Sequence, residues 1–111
     1  MQNGLLHVVL ISFKEDTPQE KRDDIYNRYQ SLAEECGGEG EGILFWRVDR
    51  NLDPRKNIHL VEIAVFTGND SFQKFRQHAK HQELVNILKD IGNWWVGDIN
   101  SSIEFFAQSA A

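Results

Sequence analysis

Residues 75–85, FRQHAKHQELV, set two histidines, His78 and His81, three positions apart beside an apolar stripe. On one helix spanning residues 72–91, Phe75, His78, His81, Val85 and Leu88 fall along a single face with Leu84 beside them, so both imidazoles would point inward. An inward imidazole has a pKa that burial or a neighbour moves around neutrality, which suits it to proton transfer. Two other readings compete. A core histidine can simply satisfy a backbone carbonyl. His-x-x-His also offers two nitrogen ligands to a metal, but a stable site needs a third or fourth, from His7, His59 or a carboxylate, and no spacing makes them converge. We expect no metal and no cofactor.

The run GGEGEG, residues 37–42, is the other motif with chemical potential. It lacks the Lys and Ser or Thr of a phosphate-binding loop and no strand precedes it, so it reads as a helix stop and turn. Trp46, Trp94 and Trp95 are either core packing or the walls of a pocket for a flat ligand.

The elements that must position these groups follow from periodicity. In residues 5–13, His7, Val9, Ile11 and Phe13 alternate with Leu6, Val8, Leu10 and Ser12, and both sets are largely apolar. A strand apolar on two faces is central in a layered domain or is covered by a second subunit. Thr17, Pro18 and Glu20 spell a helix start with Thr17 as N-cap, and Ile25, Tyr29, Leu32 and Cys36 follow at helical spacing. Strands are expected at 43–49, 58–66 and 94–99, with helical structure from the caps Asn69, Asp70 and Ser71 to Ile91. In the third strand His59, Val61, Ile63 and Val65 would share one side, as in the first strand. Glu62 would then lie on the other, interface, side, with Arg47 as its partner.

The order β, α, β, β, α, β suits an α+β ferredoxin-like sandwich: a four-stranded antiparallel sheet with helices on one face and the other face free for a second layer. One domain is expected over residues 1–111, with its core at 5–99 and a C-terminal extension at 100–111. Within that extension SSIEFF is open to three readings: a short strand, an arm onto a neighbour, or a tail. Seventeen acidic against twelve basic residues, scattered, argue against a nucleic-acid partner. The single cysteine excludes an intramolecular disulfide and a multi-cysteine metal cage, and Cys36 reads as a buried thiol at a helix end. The N-terminal apolar run is too short to span a bilayer, so we expect no membrane partner and a cytoplasmic protein.

Taken in order, LLHVVLISFKEDTP, IHLVEI, FRQHAKHQELV and WWVGDI resemble the stress-responsive dimeric α/β-barrel domain family across residues 5–99. The resemblance implies a homodimer joined through its sheets and a small apolar ligand held between each sheet and its own helices. In some plant relatives that pocket cyclises a polyketide without a cofactor. Carried over, His81 matches the acid/base and His78 its partner in the motif. His7, His59 and Tyr29 match pocket-lining positions, and Val9, Ile11, Val61, Phe75 and Leu84 would complete the wall. Two departures stand out. Phe75 replaces a tyrosine that assists the cyclisation, and phenylalanine supplies neither proton nor hydrogen bond. Ala79 replaces a common proline, so a helix break after His78 is no longer forced. Three functions follow: a cofactor-free lyase or cyclase, a non-catalytic stress-related binding module, or a haem- or oxygen-handling relative.

Overall fold

The computed structural model describes residues 3–53 and 55–102. Its elements run β1 (Asn3–Phe13), α1 (Gln19–Glu35), a 3-10 turn (Gly38–Glu41), β2 (Ile43–Arg50), β3 (Leu60–Phe66), α2 (Asn69–Gln77), α3 (Ala79–Ile91) and β4 (Gly92–Ser102). The strands form one antiparallel sheet in the order β2-β3-β1-β4, the ferredoxin-like arrangement expected from the element order.

Register decides which residues share a face. His7 stands opposite Ala64 and Asp98, Val9 opposite Glu62 and Val96, and Ile11 opposite Leu60 and Trp94. Directly opposed residues of antiparallel strands point the same way. The helix-side face therefore carries His7, Val9, Ile11 and Phe13 with Leu60, Glu62, Ala64 and Phe66, all of them buried. The outer face carries Leu6, Val8 and Leu10 with Val61, Ile63, Trp95 and Ile99, and none of these is covered by a helix.

Two of the sequence expectations are thereby corrected. Val61 lies on the outer face and Glu62 on the helix side, the reverse of the expected phase of the third strand. β3 begins at Leu60, and His59 ahead of it donates its backbone N–H to the Ile11 carbonyl at 2.8 Å. With apolar residues on both faces, alternation alone carried no information about which set faced the helices. Arg47 is likewise on the far side of the sheet from Glu62 and pairs with Asp49 at 3.0 Å.

Helix α1 buries Ile25, Tyr29, Leu32 and Ala33. Ile25 and Leu32 are almost wholly enclosed, each burial stabilising the fold by roughly 1.5–3 kcal/mol. Its N-cap is Pro18, not Thr17. The Thr17 hydroxyl instead donates to the Ile91 carbonyl at 3.1 Å, satisfying an acceptor that the end of α3 leaves without an intrahelical partner. The glycine run ends α1 as expected, with Gly37 and Gly42 in the left-handed region on either side of the 3-10 turn.

The helical stretch before β4 is two helices. Lacking proline, it still breaks at His78, whose extended backbone (φ −64°, ψ 139°) leads into α3 and whose Nδ1 accepts the Lys80 backbone N–H at 3.1 Å. Strand β4 runs further than expected, from Gly92 to Ser102, and the rest of SSIEFF lies outside the described residues. No helix among the described residues is long and apolar enough to cross a membrane.

Candidate functional site

Between the sheet and the α2–α3 pair lies a cavity of about 560 Å³. Its floor is His7, Val9 and Glu62 from β1 and β3, with Trp94, Val96 and Asp98 from β4. Its roof is Phe72, Arg76 and His81 from α2 and α3, and Tyr29 reaches in from α1. It opens at the β4 edge, where Val96 remains half exposed although it sits on the helix-side face.

His81 reaches the roof because α3 restarts after the break at His78. Its ring packs against Phe75 with centroids 4.6 Å apart, and its Nδ1 lies 3.0 Å from the Arg76 carbonyl. A carbonyl only accepts, so Nδ1 carries the proton and Nε2 keeps its lone pair. Burial pulls the His81 pKa below its ordinary value, opposed in part by that hydrogen bond. The result is a neutral imidazole with one basic nitrogen left over, the form needed to accept a proton.

On the floor, His7 is clasped between two carboxyl groups. Its Nδ1 lies 2.5 Å from Asp98 Oδ1 and its Nε2 lies 3.3 Å from Glu62 Oε2. Asp98 is partly exposed, whereas Glu62 is only 2% accessible. Burial, reinforced by the Asp98 charge, pushes the Glu62 pKa from 4.5 up to about 8, so at neutral pH it is a carboxylic acid. Its Oε2 has no hydrogen-bond partner among the described residues. Tyr29 is buried too, and burial together with Glu62 drives its phenol well above the usual pKa. Among the described residues no group of His, Cys, Asp and Glu side chains is set to hold a metal ion.

Of the residues expected at the site, the fold brings His7, Val9, Tyr29 and His81 to this cavity. It does not bring the others. His78 caps α3 and faces a separate depression beside Cys36 and Lys74, because the helix break turns it off the His81 stripe. His59 lies at the opposite end of β1, where its Nδ1 accepts the Phe13 backbone N–H at 2.9 Å, about 20 Å from His7 by strand rise. Ile11, Phe75 and Leu84 are core residues and Val61 faces outward. Cys36 is the buried cap of α1, its thiol held above the usual pKa by burial.

Three groups of the site escaped the sequence reading. Alternation marks Glu62 as a carboxylate in an apolar strand but assigns it to the opposite face from the one it occupies. Asp98 needed the β1–β4 register, which sets it opposite His7. Arg76 lines the cavity while its guanidinium packs 5.8 Å from the Phe72 ring, and a charged residue on a helix carries no signal of that kind in the sequence. The tryptophans divide as adjacent strand residues must: Trp94 lines the cavity and Trp95 faces outward. Trp46 is structural, donating its indole N–H to the Tyr29 carbonyl at 2.9 Å.

Residues 5–101 match the model of the Stress responsive A/B Barrel Domain. No curated protein matches the chain. Among solved structures, the hydroxynitrile lyase of Passiflora edulis is similar, with a TM-score of 0.77 at 15% identity over 93% of this chain and 97% of that one. A cofactor-independent oxygenase of Streptomyces nogalater gives a TM-score of 0.67 at 15% identity, covering 87% of this chain and 91% of the other. A dimeric ferredoxin-like protein of unknown function from Bacteroides fragilis gives 0.70 at 18% identity, covering 90% and 96%.

Proposed function

The chain belongs to the stress-responsive A/B barrel domain family, and from that premise we propose that it holds a small apolar carbonyl compound in the cavity beneath α2 and α3 and moves protons on it with His81, without a cofactor. The observation that carries this reading is the neutral His81 imidazole in the cavity roof, with Nδ1 tied to the Arg76 carbonyl and Nε2 left as a base. The reaction class is that of a lyase or cyclase: a base removes a proton from carbon, and the charge that develops on the neighbouring oxygen is met by donors in a closed site. The similarity in fold to a hydroxynitrile lyase and to a cofactor-independent oxygenase supports a cavity able to host chemistry of more than one kind.

The working form is a homodimer. Trp95 and Ile99 on the outer sheet face are 54% and 64% exposed, in line with Ile63 and the half-buried Leu6 and Leu10. An apolar sheet face of this kind is characteristic of a surface that a second layer covers. The dimeric description of similar folds points the same way.

Phe75 favours a second reading, a binding module that holds its ligand unchanged, because the position where related cyclases carry an assisting tyrosine has no proton to give. One probe separates the two. 2-Tetralone is an apolar ketone with acidic C–H bonds, and exchange of those hydrogens in D2O is followed by NMR. We expect the wild-type protein to accelerate exchange and His81→Ala to lose that acceleration while keeping its dimer. Thermal stabilisation by 2-tetralone with no exchange would establish the binding module instead.

A further inference from the structure

We propose that Glu62 is a second proton-handling residue of this cavity, a carboxylic acid at its floor that protonates the oxygen of a bound carbonyl compound while His81 deprotonates the adjacent carbon. This deepens the acid/base reading above and rests on it. Geometry places the two groups on opposite layers of one cavity, Glu62 on the sheet and His81 on α3, with space for a ligand between them.

Three observations set Glu62 apart from a structural carboxylate. It is 2% accessible, yet its one ion-pair contact among the described residues is with His7, at 3.3 Å, and Arg47, on the neighbouring strand, points through the other side of the sheet. Glu62 lines the cavity, and its enclosed Oε2 has no hydrogen-bond partner among the described residues. A buried polar atom left unpaired is destabilising, a cost tolerable where a ligand supplies the missing partner. Finally, His7 beside it is already committed through Nδ1 to Asp98, and its Nε2, 3.3 Å from Glu62 Oε2, makes no hydrogen bond to the carboxyl.

The step balances within the cavity. The C–H bond of the ligand breaks and an N–H bond forms at His81 Nε2. The freed electron pair becomes the carbon–carbon double bond of an enol, and the carbonyl π pair takes the Glu62 proton as a new O–H bond. Glu62 is left as carboxylate and His81 as imidazolium. The reverse step returns both protons, and because partly exposed His81 exchanges with solvent, the returning hydrogen is deuterium in D2O. Burial separates the two groups in the sense the step needs, the base kept neutral below its ordinary pKa and the acid kept neutral above it.

The test measures 2-tetralone exchange in the wild-type dimer, in Glu62→Gln and in Glu62→Met, with urea unfolding of each as a control for folding. Glutamine retains a hydrogen-bond donor but no transferable proton, and methionine retains only volume. We expect a loss of about 10²-fold in Glu62→Gln and a larger one in Glu62→Met. Wild-type exchange is also followed from about pH 7 to about pH 10, after subtraction of the uncatalysed rate, and should fall as Glu62 ionises. The groups facing Glu62 are His7, Asp98 and Tyr29, with His81 and Arg76 across the cavity, and the alkaline fall must vanish in Glu62→Gln to be assigned to Glu62 rather than to one of them. Undiminished exchange in both variants, or a flat wild-type profile, overturns the role of Glu62 and leaves that of His81 standing. No exchange in the wild-type protein overturns both.

Discussion

Replacing Glu62 by glutamine should change how stability depends on pH, by an amount that follows from its burial. The carboxyl has an ordinary pKa of 4.5, which burial and Asp98 raise to about 8 in the folded protein. A carboxyl whose folded pKa is raised is bound by its proton more tightly in the folded state. Its contribution is therefore fully present below about pH 4.5 and is lost as pH rises toward 8, because the unfolded chain ionises first. The slope is roughly 1.4 kcal/mol per pH unit, or about 3 kcal/mol lost by neutrality and about 5 kcal/mol once the folded state has ionised too. Glutamine does not titrate, so the wild-type protein should weaken relative to Glu62→Gln by this amount between acid and mildly alkaline pH, whatever the fixed cost of the amide. Urea unfolding of both proteins at one protein concentration, at several pH values across this range, gives the difference directly, and most titrations elsewhere cancel in it. A pH-independent difference would refute the reasoning. It would mean that Glu62 is already ionised against His7 as a buried ion pair, and that the cavity has no neutral acid at its floor.

Ala79→Pro should be neutral or stabilise the fold by about 0.4–1 kcal/mol in the same assay, because position 79 opens α3 and His78 already has the extended backbone that a following proline demands. Gly42→Ala should cost about 2–4 kcal/mol: φ is +87°, and an added Cβ would lie 2.6 Å from both Ser71 Cβ and Thr67 Oγ1. Gly38→Ala, at φ +60° but in open space, should cost only about 1–2 kcal/mol, so equal losses at the two glycines would refute the steric part. Trp95→Glu should yield a folded monomer by light scattering with unchanged circular dichroism, since Trp95 is 54% exposed within its own protomer; a persistent dimer would place the interface elsewhere.

Local pattern was enough for the order of strands and helical stretches, the C-terminal end of α1, and the family. Alternation in β1, the 3.6-residue spacing of Ile25, Tyr29 and Leu32, and the glycine run each depend on neighbours in sequence, which is why a reader of the chain alone recovers them. His81 was legible for the same reason: a histidine on the apolar stripe of a helix must face whatever that helix covers. Its company was not. Register, a relation between strands far apart in the chain, decided that Glu62 points under the helices and that Asp98 meets His7, and both faces of β3 are too apolar for alternation to have announced it. The helix break decided that His78 leaves the site, through a backbone turn stabilised by its own imidazole where no proline imposed it. Residue types and spacing thus determined which elements form and that one imidazole looks inward. The identity of the groups that imidazole confronts was settled only by tertiary packing, because free energies of burial and hydrogen bonding act on neighbours in space, and those neighbours come from β1, β3 and β4.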